Sequence, residues 1–144
     1  MDKRASSSGV RPEILLADGN EPFRRRLRNL LHKDPQFALQ GEAGDGEEIV
    51  RLTRELQPDV VVMDVMMPSL NGIEATRRIK SEFPSIQVIA LSMHSDEGFR
   101  LAMLDAGASV YLLKDNVLHE LPKVLRLIAP AHERHPQPDK APEI

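Results

Sequence analysis

The stretch Val60-Val61-Val62-Met63-Asp64, followed at once by Met66-Met67-Pro68 and Asn71-Gly72, decides how this chain is read. Four apolar residues run straight into a carboxylate, and the chain must turn before the next helix can begin. A short, continuous apolar run of this kind suits a strand buried on both faces. In an open parallel sheet, ligands gather beyond the carboxyl ends of the strands, at the point where the strand order reverses. An acid at such an end is aimed at chemistry. The plainer alternative is that Asp64 caps the turn or the next helix, and what separates the two is whether other strand ends also carry polar groups.

Outward from this strand the chain alternates. Glu13-Ile14-Leu15-Leu16-Ala17 is a second apolar run, ending in Asp18-Gly19-Asn20. Residues 21–33 place Phe23, Leu27, Leu30 and Leu31 at helical spacing, and Phe37 to Ala43 can form another strand. Asp45 with Glu48 three residues later is an N-cap pattern, and Ile49, Leu52 and Leu56 form the stripe of the helix it opens. Pro58 stops that helix. Residues 73–83 predict a third helix, ended by Pro84. Gln87 to Leu91 reads as a strand, followed by Ser92 and a helix through Leu101 and Leu104 to Gly107. Val110 to Leu113 is the fifth strand, and Asn116 can cap a last helix reaching about Ala129. Five short strands separated by helices predict an α/β fold, a doubly wound five-stranded parallel sheet of flavodoxin-like (βα)5 type, in strand order 2-1-3-4-5. Residues 1–11 are expected to be a disordered lead and 12–129 the folded domain. Residues 130–144, with Pro130, Pro136, Pro138 and Pro142, read as a disordered tail or linker.

Composition narrows the function. The chain of 144 residues, 41% hydrophobic, has material for one core. Its 22 acidic and 19 basic residues give a net charge of -3, so no broad basic surface invites nucleic acid. The cluster Arg24-Arg25-Arg26 with Arg28 is expected to be a solvated helix face rather than a phosphate patch. Zero cysteines exclude disulfides and thiolate chemistry. No apolar run has membrane-spanning length, and a cytoplasmic protein with no membrane partner is expected.

In the predicted fold Asp18, Asp64, Ser92 and Lys114 converge on one edge of the sheet. Two neighbouring carboxylates repel unless a cation compensates, and Mg²⁺ is commonly held by one or two carboxylates with waters and phosphate oxygens. Lys114 adds a fixed positive charge for phosphoryl oxygens, and Ser92 a hydroxyl donor. The set suits phosphoryl transfer onto Asp64, a nucleophile that needs no general base.

The chain resembles the receiver domain of two-component response regulators, a CheY-like superfamily. The resemblance rests on Ile14-Leu15-Leu16-Ala17-Asp18, Val62-Met63-Asp64-Val65-Met66-Met67-Pro68, Asn71-Gly72, Ala90-Leu91-Ser92 and Ala106-Gly107-Ala108-Ser109-Val110-Tyr111-Leu112-Leu113-Lys114-Asp115. Leu112-Leu113-Lys114-Asp115 is most similar to the NarL/FixJ-type branch, whose members usually carry a C-terminal DNA-binding helix-turn-helix. The resemblance implies that Asp64 takes phosphate from the phosphohistidine of a sensor histidine kinase. It also implies an Mg²⁺ site of Asp18, Asp64 and the backbone carbonyl of Met66. Ser92 would move toward the phosphate, Tyr111 would turn inward behind it as a second switch residue, and Lys114 would pair with the phosphoryl oxygens. The added charge would bias the face built from the fourth helix, fifth strand and fifth helix, where a homodimer is also plausible.

Two departures from the family pattern stand out. Active receivers end the first strand on two adjacent acids, whereas this chain has Asp18-Gly19; the missing second acid is the one expected to touch Mg²⁺. Weakened Mg²⁺ binding and slow or absent phosphorylation follow as expectations. The second departure is that no helix-turn-helix pattern follows Ala129, so DNA would be reached only through a segment this chain lacks. Three function classes result: a phosphorylatable receiver, which is favoured, a pseudo-receiver that acts as an interaction module independently of phosphate, and a phosphatase. The enzyme is ranked last because Met66 stands where it would want a second acid. His94 is read as a surface-loop residue at the pocket rim, Met66 as a rim residue or gap filler, and Met63, Met103 and Leu104 as packing. His132 and His135 are rejected as a zinc site for want of further ligands.

Overall fold

The apolar run at 60–64 is the central strand of a five-stranded parallel sheet. The structure, a computed structural model, describes residues 11–134, without the side chains of 129–134; residues 1–10 and 135–144, expected as lead and tail, lie outside the described residues. Its elements are β1 (Glu13–Ala17), α1 (Glu21–Lys33), β2 (Ala38–Ala43), α2 (Gly46–Leu56), β3 (Val60–Asp64), α3 (Gly72–Glu82), β4 (Gln87–Ser92), α4 (Glu97–Ala106), β5 (Val110–Leu113) and α5 (Val117–Arg134). The strand order is β2-β1-β3-β4-β5, every pairing parallel. The order reverses between β1 and β3, so the switch point lies beside Asp64.

Strand side chains alternate between two faces. Leu15, Val61, Met63, Val88 and Ala90 pack with Ile49, Ala75, Ile79 and Met103, so α2, α3 and α4 cover one face. Ile14, Leu16, Val62, Ile89 and Leu91 pack with Leu27, Leu31, Val117, Leu121 and Leu125, so α1 and α5 cover the other. The two edge strands are only half-buried, unlike the fully buried β1 and β3. Each has a neighbour on one side only, which explains why Gln40 and Glu42 are tolerated in β2.

Side-chain caps include the expected one at Asp45 and two that the sequence reading did not name. Asn20 Oδ1 accepts from Phe23 N at 2.9 Å, Asp45 Oδ1 from Glu48 N at 2.8 Å, and Asn71 Oδ1 from Glu74 N at 2.9 Å. Glu48 Oε1 reaches back to Gly44 N at 3.1 Å rather than to Asp45. The last helix departs from expectation: it runs to Arg134, past Ala129 and through Pro130. A proline forfeits one N–H bond without compelling a stop, and Ala129, Ala131, Glu133 and Arg134 are good helix formers. Among the described residues, no helix is long and apolar enough to cross a membrane.

The loop from 65 to 71 is held at two glycines. Gly72 N donates to Val65 O at 2.8 Å, and a Cβ on Gly72 would lie 2.0 Å from the Asp64 carbonyl oxygen. Gly46 N donates to Pro68 O at 3.2 Å, and a Cβ there would lie 1.8 Å from Leu70 O. We expect Gly72→Ala to lower the stability read from urea midpoints by about 2–3 kcal/mol, because backbone must shift to admit the methyl. Gly41→Ala serves as the control: its Cβ would meet only side-chain carbons, at 3.5 and 3.9 Å, and its effect should be much smaller.

Candidate functional site

Strand register brings the four polar strand ends together. Ala17 pairs with Met63, so Asp18 and Asp64 stand level on adjacent strands. Asp64 pairs with Leu91, placing Ser92 one residue further out, and Ser92 pairs with Leu113, placing Lys114 one further again. Neighbouring strands lie about 4.8 Å apart, so Lys114, just past the end of β5, needs its long stem to reach the end of β3. Its Nζ lies 2.7 Å from Asp18 Oδ2 and 3.3 Å from Asp64 Oδ2. Phe23 on α1 puts its ring 4.6 Å from the same ammonium, a cation–π contact that adds to the hold on it. Asp18, Asp64 and Ser92 are 1%, 5% and 1% exposed.

Each carboxylate is also held by backbone. Asp18 Oδ1 accepts from Asn20 N at 2.8 Å, and Asp64 Oδ1 from Met66 N at 3.3 Å. Asp18 Oδ2 is buried and makes no hydrogen bond, though it faces the Lys114 ammonium. Burial first, and then the Asp18 charge, push the Asp64 carboxyl from 3.8 up to about 6; the Lys114 charge and the Met66 N–H oppose this without overcoming it. One ammonium therefore under-compensates two acids. The arrangement has room for a further cation.

Ser92 Oγ accepts from His94 N at 3.0 Å, which leaves its own proton free for an incoming oxygen. Tyr111 does not stand free behind Ser92: its hydroxyl donates to His94 O at 2.9 Å. Both expected switch residues thus meet on the backbone of one residue. His94 itself is exposed, in the loop after β4, with its ring centroid 5.8 Å from that of Phe99.

A cavity of about 590 Å³ opens above these groups, with Gly19 and Asn20 on one wall, Met66, Met67 and Pro68 on a second, and Met93 and His94 on a third. Asp64 and Lys114 also line it. The polar residues that follow Gly19 are engaged elsewhere, since Asn20 caps α1 and Glu21 pairs with Arg25 at 3.1 Å. Among the described residues, no group of three or more His, Cys, Asp or Glu side chains is assembled for a metal. His132 has no described side chain and His135 lies outside the described residues.

The arginine cluster is a correction. Arg24 and Arg28 are not simply solvated but fold onto β2. Arg24 Nε and Arg28 Nη1 each lie 2.7 Å from Glu42, whose carboxyl the pair holds below its usual range against the effect of burial. Arg24 Nη1 also donates to Asp18 O at 2.6 Å, fixing the backbone that carries the acid. No sequence signal announced this contact, nor the place of Met93 in the cavity wall.

The sequence and the fold match known proteins. The family described as response regulator receiver domain matches residues 14–126. The chain is 36% identical over 117 residues to the transcriptional regulatory protein DegU of Brevibacillus brevis, covering 81% of this chain and 50% of that protein. To the transcriptional regulatory protein LiaR of Bacillus subtilis (strain 168) it is 39% identical over 113 residues, covering 78% and 54%. The crystal structure of a LuxR-family two-component response regulator from Aurantimonas sp. SI85-9A1 superposes with a TM-score of 0.77 at 36% identity, covering 82% of this chain and 84% of that one. The chain belongs to the response regulator receiver family. It spans about half the length of the two transcriptional regulators it matches.

The raised Asp64 carboxyl sets a pH dependence. A group whose folded-state pKa is raised favours the folded state at low pH and loses that contribution as pH climbs from about 4 through about 6. In EDTA at about pH 7.5, Asp64→Asn should raise unfolding stability by on the order of 1–2 kcal/mol, the shift discounted for nearby solvent. At about pH 4 the advantage should vanish. Urea melts at the two pH values check this.

Proposed function

We propose that Asp64 is the phosphoacceptor of a two-component response regulator, charged by the phosphohistidine of a sensor histidine kinase. What carries the reading is the Lys114 ammonium standing within 3.3 Å of both Asp18 and Asp64 at the switch point, with Ser92 following on the next strand by register. An Asp64 carboxylate oxygen would attack phosphorus. The N–P bond breaks with its electron pair going to the imidazole, and a mixed anhydride forms on Asp64. The Lys114 ammonium would turn from Asp64 to the phosphoryl oxygens, and Ser92 would donate to one of them. Drawing Ser92 inward would pull on His94 and so on Tyr111, whose hydroxyl shares the His94 backbone.

Receiver domains generally bind Mg²⁺, and the residues here fit it in part. The buried, hydrogen-bond-free Asp18 Oδ2 and the under-compensated pair of acids favour a divalent ion. Asp18, Asp64 and the Met66 carbonyl would hold it, and when bound it neutralises phosphoryl charge. Gly19 offers nothing to it, so its affinity would be weak and charging slow. The phosphorylated receiver would control a transcriptional output, as the names of its relatives suggest.

Intact mass after treatment with acetyl phosphate and Mg²⁺ tests the acceptor. One phosphoryl-sized increment should appear, and Asp64→Asn should lack it. An increment that survives this substitution would refute the assignment. The Mg²⁺ claim has a separate test. Gly19 is not in the left-handed region, and a Cβ there meets Pro68 Cδ at 3.1 Å, a contact that a small ring shift relieves. Gly19→Asp should therefore fold and lower the Mg²⁺ concentration at half-maximal labelling by roughly tenfold or more.

A further inference from the structure

Three of the chain's six methionines, Met66, Met67 and Met93, line the cavity that Asp64 and Lys114 also line. Met66 is 57% exposed and Met93 72%, whereas Met63 and Met103 are fully buried. Met67 is half-buried and packs against the core. The chain has no cysteine and no tryptophan. No thiol therefore competes for an oxidant, and the most accessible sulfur among the described residues stands at the mouth of this pocket. Single exposed apolar side chains are commonplace; two thioethers beside the same reacting groups are a more specific arrangement.

We propose that Met66 and Met93 form a peroxide-sensitive modification site that lowers the phosphoryl occupancy of Asp64. The proposal rests on the reading of Asp64 as phosphoacceptor. In the step, a methionine sulfur lone pair attacks one peroxide oxygen and the O–O bond breaks. Sulfur gains that oxygen and is oxidised by two electrons, while the other oxygen leaves and, with both hydrogens, becomes water. The product sulfoxide is polar and is returned to the thioether by methionine sulfoxide reductases.

Two features connect the rim to the chemistry. The Met66 N–H is bonded to Asp64 Oδ1, and Met93 sits inside the turn closed by the His94 N–H on Ser92 Oγ. A bulkier, hydrated side chain at either place acts on a turn that orients a reacting group. The sulfoxide oxygens also place partial negative charge along the route of an anionic phosphodonor and bring water to the acyl phosphate. Both effects push occupancy down.

The test treats the full chain with graded hydrogen peroxide, follows each methionine by peptide mapping, and measures acetyl phosphate labelling of Asp64 by intact mass. Met66 and Met93 should convert first, Met67 later, and Met63 and Met103 last. Steady-state labelling should fall by about threefold or more, the scale of one altered polar contact, and recover after treatment with reductases A and B. Met66→Leu with Met93→Leu keeps an apolar rim of similar volume. Compared with its own untreated sample, this double variant should show no peroxide effect. Conversion of Met63 or Met103 as early as Met66 overturns the proposal, as does ordered conversion with unchanged labelling or an equal loss in the double variant. Absence of label in the untreated protein is a different failure, because it sinks the phosphoacceptor reading itself and this proposal with it.

Discussion

One ammonium shared between two buried acids organises this molecule. Lys114 Nζ stands within 3.3 Å of both Asp18 and Asp64, and without it two carboxylates on adjacent strands would face each other out of water. Burying charge is costly unless it is paired, so placing Lys114 is a condition for the two acids to coexist. Much else follows from that need. The register steps outward from β3 to β5, the stem of the lysine spans the intervening strand, and the ring of Phe23 supports the ammonium from α1.

The compensation is deliberately incomplete in the chemical sense that two negative groups meet one positive group. Asp64 is left with its carboxyl pushed up to about 6, and Asp18 keeps a buried oxygen without a hydrogen bond. A site tuned only for stability would pair every lone pair. On the proposed function, that residual demand for positive charge would favour a metal and would let Lys114 shift toward an incoming phosphate. Gly19 removes one acid from that demand. Arg24 acts from behind, gripping the Asp18 carbonyl and Glu42 so that the first strand's end cannot swing away.

Four of the five strands were legible because each is a short, mostly apolar run that stops on a polar residue: Ala17 before Asp18, Met63 before Asp64, Leu91 before Ser92 and Leu113 before Lys114. Their convergence followed from the parallel order, a rule of topology. The cap at Asp45 was legible, since it depends on a neighbour three residues away, whereas Asn20 was read only as a loop residue and its cap was missed. Contacts between distant residues left no such trace. Arg24 meets Glu42 across 18 positions, and a triple arginine on an amphipathic helix gives no sign of which member will fold inward. Phe23 was assigned to packing by its spacing, and its ring also serves the ammonium. The final helix continued through Pro130 because a proline is a weaker stop than its reputation in sequence reading suggests. Met93 carried no periodic signal, and only the loop after β4 brings it to the cavity.

The two glycines that clasp the loop after β3 have a consequence for how information leaves the pocket. With Gly72 pressed on the Asp64 carbonyl and Gly46 bonded to Pro68, the jaw bearing Met66 and Met67 is braced against α2 and α3. On the opposite jaw one residue makes both links: the amide of His94 donates to Ser92 and its carbonyl accepts from Tyr111. If Asp64 is charged as proposed, a displacement of Ser92 would reach Tyr111 through the His94 backbone, and a reader of that state would sit on the Tyr111 side.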